Sequence, residues 1–114
     1  MKKLLLVIVL QLGFSLVYSQ PVTELQETAK NFMRQGDYAN AILVLNRAVQ
    51  MEPQNIAVLK DLSLNLYYNG DYDKALETLK PVLEMPQDDD QSFQIAGSIY
   101  RKTGRPEEAE KMYR

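Results

Sequence analysis

The strongest constraint on the fold of this chain is an internal repeat with a period of about 34 residues. Gly36-Asp37-Tyr38 returns as Gly70-Asp71-Tyr72, and the same step from Gly70 reaches Gly104. Self-similarity at such a period is typical of proteins that stack copies of one small unit. Four more sets of residues keep this spacing: Leu25, Leu59 and Phe93; Phe32, Leu66 and Tyr100; Ala41, Ala75 and Ala109; Leu45, Leu79 and Tyr113.

Each copy is predicted to form two helices joined by a tight turn. In the first copy, apolar residues recur at steps of three and four over residues 22–35 and again after Asp37. Gly36 suits the left-handed residue that ends a helix, Asp37 suits the N-cap of the next helix, and Pro53 stops that helix. The corresponding helices are predicted over 55–69 and 72–85 with Pro86 as the stop, then from near Asp89 to a turn at Gly104, with Pro106 opening the last helix.

The packing of these helices follows from the sizes of the repeated residues. The alanine set supplies a small side chain where two antiparallel helices approach closely, and the set that begins with Phe32 fills the space between neighbouring hairpins. One hairpin alone would leave an apolar face exposed to water, so the copies must stack. The sequence therefore predicts an all-α fold, an α-solenoid of about two and a half stacked helical hairpins.

This pattern resembles the tetratricopeptide repeat (TPR) family, whose unit has about 34 residues. The second copy departs from the family at Ser63 and Val82, and its proline arrives one residue early as Pro86. The resemblance implies repeats over about 22–55, 56–89 and 90–114, the last of them truncated. The first copy holds the family's residues at all seven characteristic positions: Leu25, Ala29, Phe32, Ala41, Leu45, Ala48 and Pro53.

The amino-terminal segment, 1–20, is unlike the repeats. Two lysines precede an apolar run from Leu4 to Leu10, as in a secretory signal peptide, and the run is too short for the roughly 20 residues of a membrane span. The residues before Gln20 fit the small-residue cleavage rule loosely, so we predict a signal peptide over 1–19 and the repeat domain over 20–114. An uncleaved signal anchor is the alternative. The expected location is periplasmic or at the outer membrane, or secreted, in a bacterium.

The amino-acid composition limits the kinds of catalysis and ligand binding that this chain can perform. The chain has no cysteine and no histidine, which removes the thiolate nucleophile, the commonest general base and the usual zinc ligands. Loss of residues 1–19 leaves 11 basic and 15 acidic side chains, a net charge of −4, which disfavours nucleic-acid binding. Asp88, Asp89 and Asp90 are interpreted as the acidic start of a helix rather than a cation site. We predict no enzyme activity, cofactor or metal.

The resemblance also implies where a partner would bind, because the first helix of each TPR hairpin lines a concave surface. Five basic residues on that surface, with apolar side chains in its middle, suggest a groove for a protein or for a peptide with acidic side chains around a hydrophobic centre. The alternative is a solvated face, with Tyr67 packed against its neighbours. The candidate binding residues are Lys30, Met33, Arg34, Lys60, Leu64, Tyr67, Tyr68, Gln94, Arg101 and Lys102.

One family subtype clamps the C-terminal carboxylate of its ligand with lysine, asparagine and arginine. None of the matching positions here carries the required residue: they are Gln26, Lys30, Asp61, Gln91 and Ile95. The predicted function is thus an exported interaction scaffold. Because the chain ends within the third repeat, we expect a longer array, with self-association through an uncapped C-terminal end as another option. The alternative function is an N-terminal regulatory or sensory module of a larger envelope protein.

Overall fold

The computed structural model describes residues 21–85 and 90–113. Within these ranges the chain is helical and contains no strand. The predicted signal peptide, together with Pro86, Asp88 and Asp89, lies outside the described residues. Where helix limits were predicted, they agree with the observed ones to within two residues. The helices are α1 (Val22–Arg34), α2 (Tyr38–Met51), α3 (Ile56–Tyr68), α4 (Tyr72–Glu84), α5 (Gln91–Lys102) and α6 (Pro106–Met112).

The turn inside each hairpin has the same geometry in all three copies. Gly36, Gly70 and Gly104 adopt positive φ angles of 73°, 87° and 74°, a region that glycine enters without the steric cost of a Cβ. In the first copy the N–H of Asp37 donates to the carbonyl of Phe32 at 2.9 Å. Together with the glycine, this bond forms a Schellman-type helix end. The equivalent bonds are Asp71 N–H to Leu66 O at 2.8 Å and Arg105 N–H to Tyr100 O at 2.7 Å.

The N-cap predicted at Asp37 is confirmed. Its side chain accepts a hydrogen bond from the N–H of Asn40 at 3.2 Å and a second from Asn40 Nδ2 at 2.7 Å. Asp71 occupies the same register before α4, but its carboxylate accepts from Asn69 Nδ2 at 3.1 Å and makes no cap bond. The repeat thus preserves the turn, while the side-chain capping differs between copies.

The repeated apolar residues form the core. The alanine set is buried, as predicted, at 0%, 0% and 4% exposure, and Leu45 and Leu79 are fully buried beside it. Tyr113 shares their register yet is 45% exposed, because no helix in the described part of the chain packs beyond α6. Close approach of the paired helices at the alanines is therefore what closes each hairpin.

The helices stack in chain order. Each of α1 to α5 packs against the helix that follows it, and α3 also contacts α5. The first helices of the hairpins are thereby brought side by side, as a solenoid requires. None of the described helices has the length and apolar character needed to cross a membrane.

Candidate functional site

The ten candidate binding residues all lie on the first helices of the hairpins. We call the side of these helices that carries them the first-helix face. Helix α1 carries Lys30, Met33 and Arg34, α3 carries Lys60, Leu64, Tyr67 and Tyr68, and α5 carries Gln94, Arg101 and Lys102. The four basic side chains of α1 and α5 are exposed, and Lys60, Met33, Leu64 and Tyr67 are half-buried.

Three charged residues of α1 and α3, which are Lys30, Lys60 and Asp61, form a cluster on this face. Asp61 is half-buried there, and loss of hydration raises its pKa, while the charges of Lys30 and Lys60 act in the opposite direction. Lys30 also lies 3.9 Å from Glu27 on its own helix. The face thus contains an acidic residue that the candidate set omitted, and its centre is of mixed charge rather than uniformly basic.

A buried amide lies next to this cluster. Asn65 is 1% exposed, and its Nδ2 donates to the carbonyl of Asp61 at 2.8 Å and contacts Met33 Sδ at 3.7 Å. Among the described residues, Asn65 Oδ1 has no hydrogen-bond partner. The sequence alone could have drawn attention to Asn65. The residue one repeat later, Ile99, is apolar, so a polar side chain at position 65 departs from the repeat pattern.

Four tyrosines form a continuous row where the first helices end and the second helices begin. The ring of Tyr68 stacks on that of Tyr38 with centroids 5.3 Å apart. Tyr67 contacts Tyr68 edge-on at 5.4 Å and Tyr72 at 5.7 Å. Tyr67 therefore does pack against its neighbours, the alternative considered above, whereas Tyr68 keeps 50% of its surface exposed.

At the other end of the face, Arg101 is held by an aromatic ring. Its guanidinium carbon lies 5.2 Å from the ring centroid of Tyr113, and the Tyr113 hydroxyl lies 3.4 Å from Ser98 Oγ. Gln94 lines an adjacent cavity of about 390 Å³ with Phe93 and Tyr113. Arg101 and Gln94 of α5 thus both lie near the aromatic side chain that follows α6.

Two further candidates are exposed cations near the ends of their helices. Arg34 is exposed, and its Nη1 donates to Asn31 Oδ1 at 3.0 Å within α1. Lys102 is exposed in the last turn of α5, where a cation is also favoured by the helix dipole. Over residues 21–85 and 90–113, no group of three or more carboxylates is placed to hold a metal ion.

Known proteins share both the sequence pattern and the fold. Tetratricopeptide repeat models match residues 32–97 and 90–114. The chain is 33% identical over 73 residues to the Photosystem I assembly protein Ycf3 of Prochlorococcus marinus. That match covers 61% of this chain and 42% of Ycf3, so the chain spans less than half of that relative.

Three solved structures illustrate the shared fold. MamA superposes with a TM-score of 0.78 at 18% identity, over 85% of this chain and 57% of MamA. The type III secretion translocator chaperone SycD of Yersinia enterocolitica gives 0.77 at 20%, over 84% and 73%. The second TPR of Spaghetti (RPAP3), bound to an HSP90 peptide, gives 0.76 at 16%, over 82% and 87%. The repeat period, the glycine turns, the buried alanines and the matches over residues 32–114 establish that this chain belongs to the tetratricopeptide repeat family.

Proposed function

We propose that this chain is a protein-binding module whose first-helix face binds a peptide with acidic side chains around a hydrophobic centre. The TPR fold is typically a non-catalytic scaffold, and the structures it resembles include one with a bound peptide and one of a chaperone. The observation that carries the proposal is that five cations lie on the first helices of the hairpins, in a chain whose formal net charge is −2.

The placement of these charges suggests how a ligand would lie. Asp61 offsets the positive charge of Lys30 and Lys60 at the centre, where Met33 and Leu64 offer half-buried apolar surface. The remaining cations of the face lie at the C-terminal ends of α1 and α5 and are exposed. An apolar ligand residue therefore suits the centre, and acidic ligand residues suit the flanks.

Clamping of a C-terminal carboxylate is not part of the proposal. The Spaghetti TPR is bound to the HSP90 peptide SRMEEVD, but the positions of the family's clamp differ in this chain. Ile95, where the clamp needs a cation, is only 6% exposed in the core, and ionised Asp61 would repel a carboxylate. We propose that recognition depends on side chains within the peptide rather than on its terminus.

Fluorescence anisotropy with two synthetic peptides tests the proposal. The first is EDLFLDE, labelled, with a blocked C-terminus, and the second is its charge-reversed counterpart KKLFLKK. The chain is expected to bind EDLFLDE, more weakly as salt concentration rises, because exposed charge contacts are screened by salt. Equal binding of both peptides, or binding of neither, would contradict the proposal.

Matched charge reversals locate the binding surface. Changing Lys30, Lys60 and Arg101 together to Glu should reduce affinity for EDLFLDE at least tenfold, an effect of about 1.4 kcal/mol. The control changes Arg47, Lys74 and Lys80, exposed cations of the second helices, to Glu. It alters net charge equally and should leave most of the affinity intact. An equal loss in both variants would mean that net charge, not this face, determines binding.

Export is the second part of the proposal, supported by the amino-terminal lysines and apolar run. Mass spectrometry of the protein recovered from a bacterial envelope fraction should find a chain that begins at Gln20. An intact amino terminus in the membrane fraction would identify an uncleaved anchor. Recovery only from the cytoplasm would reject export.

A further inference from the structure

Asn65 is a buried amide at a position that the next repeat fills with an apolar side chain. Ile99, in the same register, is fully buried, and Asn65 itself is 1% exposed. Burial of an acceptor without a partner costs free energy, and within the described residues Asn65 Oδ1 has none. An aliphatic side chain like that of Ile99 would avoid this cost, so packing alone gives no reason for the amide.

The two N–H groups of Asn65 Nδ2 make hydrogen bonds of unequal strength. One hydrogen of Nδ2 is well placed for the Asp61 carbonyl at 2.8 Å, and the other acceptor contact, within the part of the chain that the structure describes, is Met33 Sδ at 3.7 Å. Thioether sulfur is a weak acceptor. Asn65 thus offers an acceptor, Oδ1, that has no partner among the described residues, and a donor, Nδ2, with one weak partner. These two groups could pair with the N–H and the C=O of a peptide main chain, respectively.

Met33 contacts this amide from the neighbouring helix α1. Its side chain is half-buried near the end of α1, and methionine is unbranched, with three rotatable bonds and many accessible shapes. Rotation of the thioether would break its contact with Asn65 Nδ2 without any movement of a helix. Lys30 and Lys60 both act on Asp61, and Asn65 donates to the main-chain carbonyl of that residue, so the amide lies next to the charged cluster.

We propose that Asn65 is a concealed recognition point for the main chain of a bound peptide. One ligand residue donates its N–H to Asn65 Oδ1 and accepts from Nδ2 through its C=O, in place of the sulfur of Met33. This inference rests on the proposed function and extends it. The cations select the ligand's side chains, and Asn65 fixes the register of its backbone whatever the sequence.

An N-methyl scan of EDLFLDE against wild type and Asn65→Leu tests the inference. Each peptide in the scan lacks one N–H donor. In wild type, one position is expected to lose about tenfold in affinity, and that loss should disappear in Asn65→Leu. The matched control is Asn46→Leu, the same change at an exposed site of α2 outside the first-helix face, which should keep the wild-type pattern. Asn65→Ala serves in place of Asn65→Leu if the latter does not fold.

Each outcome has a distinct meaning. An identical N-methyl pattern in wild type and Asn65→Leu would overturn the inference and leave the proposed function standing. Failure of wild type to bind EDLFLDE would overturn both. Urea denaturation provides an independent check, because Asn65→Leu is expected to be at least as stable as wild type, and a clear loss of stability would assign Asn65 to the fold instead.

Discussion

The ring of Tyr113 lies so close over Gly97 that a Cβ built on the glycine would come within 2.6 Å of Tyr113 Cζ. The earlier repeats place Ala29 and Ser63 in the register of Gly97. They place leucines, at 45 and 79, in the register of Tyr113. The third copy therefore pairs the smallest residue of one register with the largest of the other. Contact between α5 and the end of α6 at this point depends on both members of the pair.

The first prediction is a coupling between Gly97 and Tyr113. In a Tyr113→Leu background, Gly97→Ala should stabilise the protein by roughly 0.5–1 kcal/mol, the usual gain when a helix-interior glycine becomes alanine. In wild type the methyl group displaces the tyrosine ring from Arg101 and Ser98, so the gain should be lost or reversed. Urea denaturation of the four proteins measures this difference, and additive effects would show that the ring moves freely.

The second prediction separates core leucines from surface leucines within α2. Leu45→Ala should cost about 2–5 kcal/mol of unfolding free energy, because the side chain is fully buried and its removal leaves a cavity. Leu43→Ala is the control, since Leu43 is 66% exposed and the change should fall within about 0.5 kcal/mol of wild type. Similar losses for both variants in urea denaturation would contradict the assigned core.

Most of the backbone could be predicted because the determinants of each hairpin are local. Glycine at 36, 70 and 104 takes a conformation that few other residues tolerate, and its position fixes where one helix ends and the next begins. The helix predicted over 72–85 includes Pro81, and α4 does continue through this proline. The repeat spacing also identified the alanines as buried, because one period transfers the environment of one copy to the next.

The third prediction concerns pH and Asp61. Burial raises the pKa of this carboxyl above its ordinary value of 3.8, so the folded state holds the proton more tightly than the unfolded state does. The resulting penalty is present above the folded pKa and vanishes below the ordinary value. Asp61→Asn should therefore raise the melting temperature near neutral pH and have little effect in more acidic solution. A benefit that persists in acid would show another cause.

The fourth prediction concerns the terminus of the ligand. EDLFLDE with a free C-terminal carboxylate and EDLFLDE with an amide should have affinities within about threefold, since Ile95 and Asp61 occupy clamp positions and a rim charge contributes less than about 1 kcal/mol. Competition anisotropy with both forms makes the comparison. A strong preference for the free acid would reveal a clamp built from other residues.

The candidate site was less predictable than the fold, because its contacts depend on how neighbouring helices are offset. The repeat register located Lys30 and Lys60 but gave no reason to include Asp61 between them. It also could not show that Tyr68 stacks on Tyr38 of the preceding hairpin, or that Met33 contacts Asn65. Such contacts join side chains nearly one repeat apart in sequence, where a small shift between helices changes the partner.

The stacking of each helix on its neighbours in the chain has a consequence for hydrogen exchange. Helix α6 contributes only Ala109 to the buried core, so its opening exposes little apolar surface, whereas α3 is covered by helices on both sides. Amide protection should therefore be greatest in α3 and fall towards the C-terminal end, as in other arrays with nearest-neighbour coupling. A ligand would then meet a rigid surface around Asn65 and a more adaptable one around Arg101.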